Sequence, residues 1–312
     1  MKRQRQAGVA AITAVMIVAV AASAVSFMLA QESATLDQAT MVVARAQADQ
    51  YARAGLDWAR GVLAADDPGI DALTDGWAQP MVGLPVDRAV VSGTISDEQG
   101  KFNLDNLVVN DQPSADDIAI FRQLLASLGL SPDLADAVVD WIDTNSTVSG
   151  NGGAEDAWYL AQPRPGRAAD QPMVQAEELY RIRGFDPATV AKVLPYVTAL
   201  YQPGTRTLIN INTASAVVIA AALPAVPASA IAQMIQRRTT KPFASTAEVA
   251  QWVSSLNPTA STAALGVNTR FFSVHVQVAQ DDVQVATDAL MVRGANASAP
   301  GATALVWRRA RF

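Results

Sequence analysis

From Gln6 to Gln31 the chain carries no charged residue, and residues 9–30 are almost entirely apolar. About 22 residues at 1.5 Å each make roughly 33 Å of helix, enough to cross a bilayer. Lys2, Arg3 and Arg5 precede the stretch, and a basic leader stays on the cytoplasmic side, which places the rest of the chain outside. The competing reading is a cleaved secretory signal, with Ala22-Ser23-Ala24 as a small-x-small site. The residues beyond Ala30 favour a retained helix. No Pro or Gly interrupts the chain between Val9 and Gly55, and Arg45, Asp49, Arg53 and Asp57 alternate in sign at four-residue spacing along one face. Tyr51, Gly55, Trp58 and Val62 form an amphipathic stripe on another face, predicted to be covered by a sheet or domain. One helix over residues 9–65 would measure roughly 86 Å, a length suited to a filament subunit.

Composition removes much of catalytic chemistry. The 312 residues include no Cys and one His, so no disulfide, zinc ribbon, iron–sulfur cluster, thiol nucleophile or multi-histidine metal site can be built. A formal charge of −6 gives no overall basic field to attract a polyanion. Half of the residues are hydrophobic, enough for one large or two ordinary domains.

Beyond the helix, residues 66–85 are rich in Gly, Pro and Asp and read as a connector. Residues 89–95 (AVVSGTI) and 101–109 (KFNLDNLVV) flank a turn at 96–100 and predict a β-hairpin. Residues 271–279 (FFSVHVQVA) alternate in polarity, Gln280-Asp281-Asp282 turns the chain, residues 283–293 return, and 304–312 predict a last strand. Between these β regions, residues 111–267 are helical in pattern, with apolar residues at helical spacing over 118–128, 134–141, 177–182, 188–200, 214–223 and 229–237. The expected fold is α+β: a long N-terminal transmembrane helix and an antiparallel sheet interrupted by a large helical insertion with helix-hairpin-helix-like elements. Its expected divisions are a leader (1–8), the membrane span (9–30), the outer part of the long helix (31–65), two sheet portions (66–110 and 268–312) and the helical insertion (111–267).

Oxygen ligands cluster in one place. Asp140 and Asp143 end an apolar helical stretch, Asn145 and a Ser/Thr/Gly/Asn loop follow, and Glu155 and Asp156 come next. Hard oxygen donors on a flexible loop suit one or two Ca²⁺ ions far better than zinc or copper. The spacing is not that of an EF-hand, since the sixth position from Asp143 is Val148 and the twelfth is Ala154. Asp170 and Glu178 are further candidates if the Pro-rich loop 162–172 folds back. The alternative is a helix cap and surface acids beside a glycine loop.

Residues 223–227 (LPAVP), with helical residues after them, resemble a helix-hairpin-helix. Pro227 or Ala225 stands where DNA-binding versions use glycine to offer backbone amides to phosphate. Arg237, Arg238 and Lys241 read as a basic helix end. His275 and Ser273 share a sheet face without implying a triad. Residue types alone leave two functions open: a membrane-anchored hydrolase using the carboxylates around Asp143 and Glu155, and a DNA-uptake adaptor using the hairpin near Leu223.

The basic leader ending in Gly8 before an apolar helix resembles the type IV pilin-like proteins. That resemblance implies cleavage between Gly8 and Val9 by a prepilin peptidase, N-methylation of Val9, and retention of the helix. Loss of the leader takes the formal charge from −6 to −9. Most such proteins carry glutamate at the fifth mature position, where this chain has Thr13. A carboxylate in hydrocarbon needs a cation, which the family finds in the subunit ahead. A subunit at the tip has no neighbour ahead, so Thr13 marks either tip placement or drift in an apolar helix. The order of DEQGKFNLDNL (97–107), DWIDTN (140–145), GAEDAWY (153–159), Glu178 with Leu179, and ININTA (209–214) is similar to the GspK-type minor pseudopilins of type II secretion. That likeness implies a non-enzymatic assembly protein at the tip of a periplasmic pseudopilus. It further implies GspI-type and GspJ-type minor pseudopilins and the inner-membrane secretion platform as partners, no nucleic acid, and calcium in the inserted domain.

Overall fold

The computed structural model describes the backbone of residues 2–294 and 303–311, and side chains from residue 9 onward within those ranges. Helix α1 (Lys2–Ala65) is continuous. Its apolar half is exposed throughout, with Val9 at 63 % and Phe27 at 69 %, and is long and apolar enough to cross a membrane. Farther along, Ala48, Ala52, Leu56, Ala59 and Leu63 are buried at helical spacing beneath a sheet.

That buried line differs from the expected stripe. Gly55 is buried, Tyr51 and Val62 flank the contact half-buried, and Trp58 is 47 % exposed. Small side chains let the helix backbone approach the strands closely. A Cβ on Gly55 would stand 2.8 Å from Val276 Cγ1, so bulky rings are excluded from the line of nearest approach. Tyr51 instead donates its hydroxyl to Asp87 Oδ2 at 2.8 Å.

The sheet runs in the order β1 (Met81–Val86), β2 (Ala89–Asp97), β3 (Phe271–Gln280), β4 (Val283–Arg293), β5 (Thr303–Arg311), every pair antiparallel. Registers Val91↔Val278, Ile95↔Val274 and Val285↔Val278 put their β-branched side chains on the face that meets α1, where period-two alternation predicts them.

The hairpin expected from 89–95 and 101–109 does not form. β2 pairs with β1 and β3. β1 lies in the segment read as a connector, because Gly83 (φ +68°) and Pro85 interrupt it. An edge strand tolerates both. Residues Leu104–Leu107 form a 3₁₀ turn in which all four side chains are buried, started by Asn103, whose side chain accepts from Asp105 N at 3.2 Å.

Residues between β2 and β3 contain α2 (Ala115–Ser127), α3 (Leu134–Ile142), α4 (Asp156–Leu160), α5 (Pro187–Val193), α6 (Ala216–Ala222), α7 (Ala228–Arg238) and α8 (Thr246–Leu256). The helix expected over 188–200 ends early, at Val193, just before Pro195, and 177–182 is a 3₁₀ segment, Ala176–Arg181. These elements share one hydrophobic core containing Phe102, Phe121, Leu124, Val138, Ile219 and Met234. α1 and the sheet share another.

Polar side chains join the two. Asp97 Oδ2 accepts from Asn210 Nδ2 at 2.8 Å and from the Thr213 hydroxyl at 2.6 Å, so DEQGKFNLDNL and ININTA meet in space. A Cβ on Gly100 would reach within 2.8 Å of Thr213 Oγ1. Both motifs are therefore structural here, tying the insertion to the end of β2.

Candidate metal centre

α3 carries acids at 136, 140 and its cap position 143, a spacing that keeps them on one helix face. The glycine loop after it folds back onto that face. Gly150 adopts φ +47°, and a Cβ there would lie 2.2 Å from Asp136 Oδ2. A Cβ on Gly153 would lie 2.3 Å from Asp140 Oδ2. Only bare backbone fits against these carboxylates.

Each acid has a different share of partners. Asp136 pairs with Arg122 at 2.6 Å. Asp140, fully buried, accepts Ser149 N at 3.0 and 3.1 Å. Asp143, 1 % exposed, accepts Asn145 N at 3.2 Å through Oδ1, while its Oδ2 is buried with no partner. Glu155, 5 % exposed, likewise has a buried, unpartnered Oε1. Burial raises Asp143 to about 6, with Asp140 and Asp111 adding repulsion. Burial raises Glu155 to about 7, and Asp140, Asp143, Asp170 and Asp156 all push it the same way. Buried oxygens without a partner are rare in folded proteins, and here two stand among mutually repelling carboxylates.

Three of the other expected ligands already accept hydrogen bonds from the protein. Asp156 accepts Arg167 Nη1 at 2.8 Å and Ala168 N at 3.2 Å, holding the following loop. Asn145 Oδ1 accepts Thr147 N at 2.7 Å. Glu178 caps the 3₁₀ segment, accepting Val174 N at 2.7 Å and Trp141 Nε1 at 3.3 Å. Asp170 is exposed, with φ +49°, and donates its N–H to Trp141 O at 3.1 Å.

A second acidic group lies in the connector. Oxygens of Asp66, Asp71 and Asp75 fall within 4.8 Å of one another, a group that could hold a metal ion. Arg293 already supplies positive charge there, 2.6 Å from Asp71 and 2.9 Å from Asp66. The Gly/Pro/Asp composition that marks 66–85 as a connector contains these acids, and no spacing rule singles them out.

Of the basic helix end, Arg237 and Arg238 are engaged within the fold, and Lys241 is exposed. Arg237 pairs with Glu248 and stacks 4.1 Å over the Phe243 ring. Arg238 is buried and donates to Ile211 O. Thr13 Oγ1 donates to backbone carbonyls of its own helix, at 3.1 Å to Val9 O and 3.0 Å to Ala10 O. The leader side chains through Gly8 lie outside the described residues; α1 runs through their backbone.

Comparison with known proteins accounts for nearly the whole chain. The family described as type II secretion system (T2SS), protein K matches residues 209–268, and its first-domain section matches 100–203. The type II secretion system protein K of Pectobacterium carotovorum is 32 % identical over 304 residues, covering 90 % of each chain. That of Pseudomonas aeruginosa is 29 % identical over 306 residues, covering 94 % of this chain and 90 % of the relative. The fold matches a chain of the GspK-GspI-GspJ crystal structure from enterotoxigenic Escherichia coli. The TM-score is 0.72 at 23 % identity, and the match covers 85 % of this chain and 96 % of that one. With a relative above 30 % identity along nine-tenths of its length, the chain belongs to the type II secretion system protein K family of minor pseudopilins, whose role is structural and not catalytic.

Proposed function

We propose that this protein is anchored in the inner membrane by α1 and sits at the periplasmic tip of a pseudopilus, where it supports export of folded proteins. The observation that carries the reading is the division of α1: an apolar half exposed on all sides, then an outer half docked under a sheet that bears a large helical insertion. The exposed half would pack with sister helices, first in the bilayer and then in a filament, while the bulky head opposes addition above it. Thr13 supports the tip position, since its hydroxyl is satisfied inside its own helix and asks for no amine from a subunit ahead. Cleavage between Gly8 and Val9 by a prepilin peptidase, with methylation of Val9, would remove the three leader cations and leave the apolar helix in the membrane. The partners are minor pseudopilins of the GspI and GspJ types, which the solved complex joins to the related chain.

Within this reading, Asp140, Asp143 and Glu155 hold Ca²⁺, with Asp170 at the margin; the orphaned Asp143 Oδ2 and Glu155 Oε1 support it. Bound calcium would neutralise the clustered charge and brace the loop 144–155 against α3. The remaining divisions proposed are the sheet portions 66–110 and 268–312 around the insertion 111–267.

N-terminal sequencing of the mature protein tests the anchor. The expected result is methylated Val9 as first residue, and a start near Gln31 would overturn it. Co-purification of the full chain with GspI-type and GspJ-type subunits tests the tip, as does altered pseudopilus number or length on deletion of its gene. Normal pseudopili and normal export in the deletion strain would overturn the function.

A further inference from the structure

A groove of about 1060 Å³ opens in the inserted region between the loop 162–167 and residues 180–186. Four arginines line it, Arg164, Arg167, Arg181 and Arg183, in a chain whose formal charge is −6. Its floor is aromatic: Trp158 and Tyr159 meet edge to face with centroids 4.9 Å apart. Arg183 is built into the wall, 5.7 Å from the Trp158 ring centroid and donating to Gly153 O at 2.7 Å. Arg167 is neutralised by Asp156. Arg164 and Arg181 are exposed, and among the described residues no carboxylate lies within 4.0 Å of either. Asp186, on the same wall, is turned away to cap α5, accepting Thr189 N at 2.7 Å. Two unengaged guanidinium forks therefore border an aromatic surface on which Tyr180 is 52 % exposed.

We infer that this groove is a docking site for an acidic polypeptide segment carrying an aromatic or apolar side chain. A guanidinium presents a planar pair of N–H donors that matches a carboxylate bidentately, and the ring floor takes an apolar side chain or stacks with an aromatic one. At about 1060 Å³ the groove stands at the upper end of the ~300–1,000 Å³ range of ligand pockets, room for a few side chains of a polypeptide segment. A nucleic acid or an anionic membrane would need many phosphate contacts to overcome the repulsion of an acidic protein; two free forks satisfy one or two carboxylates instead.

The test uses the full chain in detergent micelles with calcium present, and a fluorescein-labelled peptide of alternating Glu and Gly residues with one central Trp. Fluorescence anisotropy should show saturable binding. R164E/R181E should weaken it about tenfold or more, as loss of charge-assisted hydrogen bonds requires, and the matching Gln-for-Glu peptide should not bind. R53E/R60E, a charge reversal on α1, serves as control and should leave affinity unchanged; thermal melts of both variants establish that each is folded. Undetectable peptide binding by wild type, equal binding by R164E/R181E, or tighter binding of single-stranded DNA or anionic vesicles than of the peptide would each overturn the proposal.

Discussion

Arg293 Nη2 lies 2.6 Å from both carboxylate oxygens of Asp71, across 222 residues of chain, with both side chains at most 1 % exposed. The same guanidinium donates to Asp66 Oδ2 at 2.9 Å and Thr269 O at 3.0 Å, and its Cζ lies 4.9 Å from the Phe272 ring centroid. The pair thus fastens the connector after α1 to the end of β4.

Removing one partner should do far more harm than removing both. Arg293→Met leaves the Asp71 carboxylate buried with no counter-charge and only the Thr269 N–H, at 2.7 Å, to support it, and should cost about 3–5 kcal/mol. Asp71→Asn/Arg293→Met should recover a large part of that loss. Urea unfolding of the full chain in detergent reads both values, and a double variant no more stable than Arg293→Met would contradict the account.

Packing of α1 predicts a size limit at Gly55. Gly55→Val should destabilise the protein by about 1–3 kcal/mol through overpacking against Val276, despite the better helix propensity of a non-glycine residue. Adding Val276→Ala should return part of the loss, because the clash is with its methyl groups. Melting temperatures of the three variants decide it.

Calcium should raise the melting temperature of wild type, and chelator should lower it; Asp143→Asn/Glu155→Gln should abolish the difference. Affinity should also fall as pH drops. Asp143 and Glu155 titrate near 6 and 7 in the metal-free protein, and a cation binds their ionised forms. Calorimetric titration should therefore show weaker binding through that window and a plateau above about pH 8. Equal affinity at pH 5 and pH 8 would exclude these two as ligands.

Asp105 is a separate source of pH dependence. It is buried, accepts Met173 N at 2.8 Å through Oδ1, and has a buried Oδ2 with no partner. Burial raises its carboxyl to about 7, so the folded state holds a proton that the unfolded chain has already lost. Its contribution is fully present below about pH 4 and is lost as pH rises towards 7. Asp105→Asn should flatten that part of the stability curve and, near pH 8, stabilise the metal-free chain by on the order of 1 kcal/mol. Unfolding measured in chelator across pH tests the sign.

Thr13→Val should leave export unchanged, because the hydroxyl bonds only to its own helix. Reduced export with a normal protein level would show instead that Thr13 touches another subunit.

The legible parts of the sequence are those where one physical signal dominates. A charge-free run announces α1, and alternation announces β3, with the turn at Gln280-Asp281-Asp282 announcing the return of β4. β1 is hidden by Gly83 and Pro85, which a strand accepts only at an edge. The buried face of α1 departs from the predicted stripe because its alanines carry little hydrophobic signal while closeness of approach decides the packing. α8 opens with Ser245 accepting from Glu248 N at 3.2 Å, an S-x-x-E signal that could have placed the helix missing from the predicted elements. In the inserted region, Asp140 adds to the rise of both Asp143 and Glu155, but the three acids whose oxygens fall within 4.8 Å of one another are Asp66, Asp71 and Asp75. Asp156 is instead held by Arg167, and spacing cannot tell which of two adjacent acids a distant arginine will capture. Nothing in the sequence points to Arg293 as the counter-charge of Asp66 and Asp71.

Because β2 and β3 are neighbours in uninterrupted register from Ala89↔Gln280 to Asp97↔Phe272, everything between them enters and leaves the sheet one strand spacing apart, about 4.8 Å. To the sheet, the entire helical body is an oversized hairpin loop. The helix and sheet could therefore stay fixed while the body between these two strands is enlarged or resurfaced, because the entropy of closing so long a loop rises only slowly with its length.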